Sequence, residues 1–381
     1  MLLGPGPYRH YDAIVSLSDV LSPGGGIKHS EESENNLPLA YFTDLSHQLG
    51  NRDLIAHEYI HSWNGRYRQP LDLRSPDFNH PLQGSLLWVY EGQTEFWGRV
   101  LAARAGLRNR QETLDKLALD AALVENRAGR SWKSLDDSTN DAVYMAGHSV
   151  GRRDWQRRED YYPEGVLLWL DVDARLREQS HGRFSLDDFA GRFFATGGAM
   201  NTVRTYDFDD VCTALNAVVP DNWAGFLRRH LDSVPDVDAL AGLARAGWRL
   251  GYTDEPTETF RQDEADAGVS NLDYSIGMQV RPSGVIRSIA WNSPAFKAGL
   301  APDDRIIEVN ARPFTAALLQ AAIKVSGSVP LTLTVDVDGS PRKAAIAYHG
   351  SLRYPHLVRI PGKPDRLGDL LSSRPSKTSP P

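Results

Sequence analysis

A single cysteine, Cys212, stands in a chain of 381 residues. That excludes an intramolecular disulfide and leaves the redox compartment open, and the residue reads as a small buried side chain. No window holds 18 consecutive apolar residues, so no membrane span is expected. Positive charge is in short supply too: 42 Lys and Arg against 49 Asp and Glu give a net charge of −7. A phosphate-binding surface is therefore not the main function. No glycine-rich phosphate loop, dinucleotide fingerprint or basic interleaved patch stands out, so no nucleic-acid partner is expected. The opening "MLLGPGPYRHYDAIVS" has no basic segment before an apolar core and does not read as a signal peptide. The expected location is cytoplasmic, or periplasmic or secreted if the natural chain is longer at its N-terminus.

What is present is enough for two or three domains. "YDAIVSLSDVL", the run Gly24, Gly25 and Gly26, and "LPLAYFTD" read as strand and loop. Helical patterning then runs from about residue 51 to 246. "LLWVYEGQTEFWGRVLAARAG" carries apolar residues at three- and four-residue spacings, with Gly106 as its stop. "RQETLDKLALDAALVENRAG" is a second amphipathic helix, closed by Gly129, and further helices are expected at 163–178, 185–194 and 208–217. Near residue 253 the composition shifts: "TDEPTETFRQDEADAG" is acidic and weakly apolar, as a linker over 253–268 would be. Beyond it the period becomes two, giving a β-rich domain over 269–352. An extension over 353–381 ends in the Pro/Ser-rich "SSRPSKTSPP", which is expected to be disordered.

The chemistry concentrates in "RDLIAHEYIHSWNG", residues 52–65. On a helix, residues four apart lie above one another, so His57 and His61 project from one face and can reach a single ion. Glu58 lies about 100° round, where a carboxylate can take a proton from the attacking water. By chance alone His-Glu-x-x-His arises in about one chain in fifty of this length, so the motif needs support. The alternative is a surface helix with two solvated histidines.

Support comes from Glu91 in "WVYEGQTEFWG", a carboxylate on a strongly apolar helix, costly there unless paired or bound to a cation. It is the candidate third ligand, with Glu95 one turn on as a partner behind the ligands. Two imidazoles and a carboxylate favour zinc, one per chain, over cobalt or manganese. Asp53, one turn before His57, either orients that imidazole or supplies charge at the helix N-terminus.

"GHSVG", residues 147–151, competes as a nucleophile elbow around Ser149. It arises by chance in roughly one such chain in six. The "RRDWQRRED" that follows is too charged to pack on a sheet, so a serine hydrolase is a remote alternative.

"HEYIHSWNGRYRQP" followed by "WVYEGQTEFWG" resembles the glycyl aminopeptidase family, gluzincin metallopeptidases with a C-terminal PDZ domain. "GGGIKHSEES", "DYYPEGVLLWLDVDARLRE" and "RYPHLVRIPGKPDRLGDLL" resemble other segments of that family, in the same order. The resemblance implies an α+β chain: a mainly helical, thermolysin-like zinc metallopeptidase domain over 1–252, then a PDZ domain. It implies His57, His61 and Glu91 as zinc ligands, Glu58 as general base and acid, and Tyr162 or its neighbour Tyr161 as oxyanion donor. Gly25, Gly26 and Lys28 fall where the family meets its substrate.

Two positions depart from the family pattern, and one domain of its full-length members is missing. The family usually has a glutamate at position 28 to face the substrate's free amine; Lys28 would repel an ammonium group, and Glu31 or Glu32 are the nearby substitutes. Glu164 stands where a lysine commonly precedes the glycine of the tyrosine helix. Full-length relatives also carry an N-terminal β domain that helps wall the cleft.

"YSIGMQVRPSGVIRSIAWNSPAFKAGLAPDDRIIEVN" looks like the PDZ part, with Ser275, Ile276, Gly277 and Met278 as the loop that receives a chain-terminal carboxylate. The expected activity is zinc-dependent peptide hydrolysis, an aminopeptidase for small N-terminal residues such as glycine. The alternative is a catalytically impaired scaffold that binds C-terminal peptides through the PDZ domain.

Overall fold

Strand β1 (Asp12–Leu17), strand β2 (Gly26–Lys28) and strand β3 (Glu32–Leu37) form a small sheet ordered β1-β3-β2. β1 runs parallel and β2 antiparallel to β3, so β2 lies at an edge. The two-residue period of a strand turns Gly26 and Lys28 to one face and sends Ile27, half exposed, to the other. In the computed structural model the described residues are 3, 8, 10–21, 24–77, 79–145, 155–195, 202–234 and 237–373.

The histidine-bearing helix α1 (Leu54–Ile60) is shorter than the expected span of 51–64, because a 3-10 turn at Leu49–Asn51 leads into it. The expected helix over 83–105 is two helices, α2 (Leu87–Tyr90) and α3 (Gly92–Arg104), with Glu91 at the break. Gly106 takes φ +77° past the end of α3, where the N–H groups of Gly106 and Leu107 turn back to Ala103 and Ala102. Helix α4 (Arg110–Glu125) begins in a reciprocal Asn109–Glu112 capping box and ends at Asn126, ahead of the expected Gly129, which sits in a following 3-10 turn.

These helices share one core with the helix Pro163–Gln179, in which Trp88, Trp97 and Trp169 are wholly buried. The Trp88 and Trp169 rings stack 5.5 Å apart, and the Trp169 indole donates to the Trp88 carbonyl at 2.8 Å. Glycine makes this crossing possible. A Cβ on Gly165 would come within 2.7 Å of the Gly92 Cα, and one on Gly92 within 2.6 Å of the Tyr161 carbonyl. The backbones therefore touch, and Tyr161 and Tyr162 arrive beside Glu91. Later helices, Leu186–Phe193 and Phe208–Val218, complete this core. Cys212 is buried on the second of these, and burial pushes its thiol up to about 11.

Residues 253–268 correct the linker expectation. A helix, Glu258–Ala267, fills most of the stretch, capped by Thr257 and closed by Gly268 in the left-handed region. Its acidic surface suggested a linker, but Phe260 is 1% exposed and packs into the second core.

That second core lies in the β-rich part. Met278–Val280 pairs with Ile286–Ile289, and Arg305–Val309, Leu331–Val337 and Ser340–Ile346 form a separate antiparallel sheet. Leu331, Leu333 and Val335 alternate inward. Leu119 of α4 belongs to the same core, and the Trp155 indole donates to the Ile289 carbonyl at 2.9 Å, so the two parts are packed on each other. The expected extension after residue 352 also returns: Tyr354–Arg359 pairs antiparallel with Trp248–Thr253, and Leu367, Leu370 and Leu371 bury in the first core. The proline- and serine-rich end, residues 374–381, lies outside the described residues.

The backbone contact at Gly92 and Gly165 generates a prediction. Gly165→Ala is expected to destabilise the chain by about 1–3 kcal/mol through overpacking. Chemical denaturation reads it directly, and an unchanged midpoint would mean the helices separate at no cost.

Candidate metal centre

His57 and His61 sit on the buried face of α1, and Glu91 occupies the break between α2 and α3 that faces it. One ligand atom from each of the three lies within 4.8 Å of the others, a spacing that could hold a metal ion. The two Nε2 atoms are 3.1 Å apart, and Glu91 Oε2 is 3.4 Å from His57 Nε2 and 3.3 Å from His61 Nε2.

The other ring nitrogens show why the Nε2 atoms converge. His61 Nδ1 lies 2.9 Å from the Asn64 carbonyl, which can only accept, so Nδ1 carries the hydrogen and Nε2 keeps its lone pair. His57 Nδ1 is 2.7 Å from Glu95 Oε2, which orients that ring in the same sense. Without a cation, burial works against charge on His57, but Glu91 and Glu95 outweigh it and push the ring up to about 10. Burial lowers His61. Burial would raise Glu91, yet the two imidazoles and Lys28 hold it well below the usual carboxylate range.

Glu95 is itself gripped. Its other oxygen is 2.6 Å from the Arg99 guanidinium, which also pairs with Asp53 and Asp120. Two roles were open for Asp53, orienting His57 or supplying charge at the helix N-terminus. It does sit at the N-cap of α1, and its carboxylate pairs with Arg99 and Arg108; Arg99 in turn holds the Glu95 that meets His57.

Glu58 is 4% exposed, and its Oε2 is buried with no hydrogen-bond partner among the described residues. A buried carboxylate oxygen left unpaired is costly unless a ligand or water supplies a donor. Gly26 cradles the same group, since any Cβ there would collide with the Glu58 carboxylate. The orphaned oxygen, the cradle and the three convergent ligand atoms fit a divalent ion with an open position. Gly25, just before, spends its carbonyl on the Asn36 N–H.

Lys28 enters the cluster. Its Nζ is 3.5 Å from Glu91 Oε1 and 4.7 Å from the Tyr90 ring centroid. Burial lowers Lys28, but Glu91, Tyr90 and Glu58 outweigh it and keep the ammonium above its ordinary value. Glu32 opens β3, and the charged atom facing the outer oxygen of Glu91 is this ammonium.

Of the two tyrosines, Tyr162 faces the centre: its ring lies 6.2 Å from the His57 ring, and burial, with the Glu91 carboxylate nearby, pushes its hydroxyl well up. Tyr161 packs behind it, 4.9 Å between rings. The unexpected Glu164 is buried against Arg157 and Arg130, and Asp160 against Arg157 and Arg127. This ion-pair knot braces the turn that carries Tyr162. Ser149 and the rest of 147–151 lie outside the described residues.

Sequence reasoning missed Asn64, Arg99 and Tyr206. Asn64 is fully buried, donates to the Val89 and Tyr90 carbonyls and to Thr94, and accepts from the Tyr206 hydroxyl. The signal for Arg99 was present, a charged residue inside an apolar helix four positions after Glu95. Tyr206 had none, being 142 residues from Asn64 in the chain.

In the β-rich part the expected carboxylate loop is already occupied by its own chain. The N–H groups of Ser275, Ile276 and Gly277 all turn to the Leu272 carbonyl, at 3.0 to 3.1 Å. Met278 begins a strand with both edges taken, by Ser270–Asn271 on one side and Ile286–Ile289 on the other. Ser275 Oγ accepts from the Arg353 N–H. Among the described residues no helix is long and apolar enough to cross a membrane.

Comparison with known proteins bears on both parts. The family model for M61 glycyl aminopeptidase matches residues 50–168, and that for the PDZ domain matches 263–336. No curated protein matches the chain. A crystal structure of an aminopeptidase N family protein from Idiomarina loihiensis superposes with a TM-score of 0.75 at 20% identity, a likeness of fold. It covers 97% of this chain, which spans 64% of the length of that one. The HtrA3 PDZ domain bound to a phage-derived ligand (FGRWV) aligns 29% of this chain with 91% of its own at 22% identity, with a TM-score of 0.16 that carries no argument. The chain therefore carries an M61 glycyl aminopeptidase domain over the helices that bear His57, His61 and Glu91, and a PDZ domain behind it.

Proposed function

We propose that the chain hydrolyses peptide bonds with one zinc ion held by His57, His61 and Glu91. The observation that carries this is the buried, partnerless oxygen of Glu58 next to three convergent ligand atoms. Zinc is the fitting ion because two imidazoles and one carboxylate with an open position suit it. Bound there, it supplies a Lewis acid that acidifies a water and polarises a carbonyl.

The protein's own groups do the rest. Glu58 takes the proton of the attacking water and returns it to the leaving amine. Gly26 makes room for this carboxylate, since a side chain at that position would collide with it. Tyr162 keeps its proton, since burial and Glu91 oppose its ionisation, and donates to the oxygen that gains charge at the scissile carbonyl. Glu95 and Asn64 hold the two imidazoles in the tautomers that aim Nε2 at the ion. The family's description, glycyl aminopeptidase, adds the finer reading of a substrate with a small N-terminal residue, and Lys28 bears on that.

Two outcomes test the reading. Glu58→Gln is expected to retain about one zinc per chain by elemental analysis and to lose nearly all chelator-sensitive hydrolysis of a peptide panel. Unchanged turnover would sink the assignment, and inactivation by a fluorophosphonate but not by a chelator would move the chemistry to Ser149. Glu95→Gln is expected to weaken zinc about 10–100-fold in competition with a chelator, as loss of a group behind the ligands does. Undiminished affinity would leave Glu95 no role in positioning His57.

A further inference from the structure

We propose that Lys28 makes this centre select peptides that bring a carboxylate, and not a free α-ammonium, beside the scissile bond. This rests on the reading of the cluster as a peptidase centre and deepens it.

The edge strand β2 supplies two of the groups at the centre. Gly26 and Lys28 share the face of β2 that looks into the centre, one cradling Glu58 and the other reaching Glu91 Oε1 at 3.5 Å. The Lys28 ammonium is placed by more than one contact. It lies over the Tyr90 ring at 4.7 Å, and the lysine's own carbonyl accepts from the Arg66 guanidinium at 2.7 Å. With its side chain 27% exposed, against 10% for Glu91, it is held beside the three ligand atoms and still open to what binds there.

Charge decides what that is. Glu95 is paired with Arg99 and His57. Among the described residues Glu91 is the carboxylate at ion-pair distance from Lys28, and Glu58, packed on Gly26 two residues away on the same face of β2, is the next to act on it. A divalent ion at the three ligands offsets those two charges and leaves the lysine uncompensated. An incoming ammonium then meets like charge, which disfavours it by on the order of tenfold or more, whereas a carboxylate meets an unpaired cation. The carboxylate can come from an acidic side chain next to the scissile residue or from a chain terminus.

The test uses the full chain carrying Glu58→Gln, titrated by calorimetry with one peptide core in matched forms. These have a free or an acetylated N-terminus, an aspartate or an asparagine beside the scissile residue, and a C-terminal carboxylate or amide. The acetylated form is expected to bind about tenfold tighter than the free amine, and one of the two carboxylate forms about tenfold tighter than its neutral twin. Whichever twin pair responds identifies the source. Adding Lys28→Met should erase both differences and Lys28→Glu should invert them, with bound zinc unchanged. Equal binding throughout, tighter binding of the free amine by the Lys28 form, or loss of zinc in Lys28→Met would overturn the proposal. Failure of the hydrolytic reading shows separately, as absence of chelator-sensitive turnover by the unaltered chain.

Discussion

Two imidazole nitrogens and a carboxylate oxygen converge where α1 meets the α2–α3 break, largely shielded from bulk water. Groups that polar are not gathered in an apolar interior without compensation. Each therefore has a partner on its far side: Asn64 behind His61, Glu95 behind His57, Lys28 beside Glu91. The partners are anchored in turn, Asn64 by Tyr206 and Thr94, Glu95 by Arg99, and Arg99 by Asp53 and Asp120. Removing a buried member such as Asn64 or Arg99 leaves a charge or donor unmatched, so these two chains of partners behave as units, whereas the part-exposed Lys28 stands outside them.

The helical scaffold serves this convergence. Glu91 sits at a break between helices, with the tryptophan-lined core on one side and the two imidazoles and Lys28 on the other. Gly92 and Gly165 let the tyrosine helix touch α3, which brings Tyr162 within reach of Glu91. The same turn is braced from beneath by Arg157 with Asp160 and Glu164. Trp155, two residues before Arg157, is bonded to Ile289 of the PDZ part, so the turn that carries Tyr162 is tied to both cores. In the PDZ part the N–H groups of Ser275, Ile276 and Gly277 turn to the Leu272 carbonyl.

Much of the site was legible because it is local. His57, Glu58 and His61 lie within one helical turn and a half, where spacing alone sets the geometry. Glu91 was legible because a carboxylate in an apolar helix demands a reason. The ends of elements were less so: α1 is shorter than its motif suggested, the helix over 83–105 breaks at Glu91, and the acidic stretch at 253–268 is a helix that buries Phe260. Each turns on what a neighbouring segment covers, and covering is not written in local composition.

The sequence by itself determined the types and helical spacing of the side chains that converge, the order of a helix-rich and a β-rich part, and the presence of a lysine where an acidic residue was anticipated. Only the tertiary structure decided that Lys28 faces Glu91, that Asp53 pairs with Arg99, and that the chain after residue 352 returns to the first core. The physical reason is range. Helical periodicity and hydrogen-bond chemistry act between near neighbours in the chain, whereas these pairings join residues 46 to more than 250 positions apart, and close packing alone brings them together.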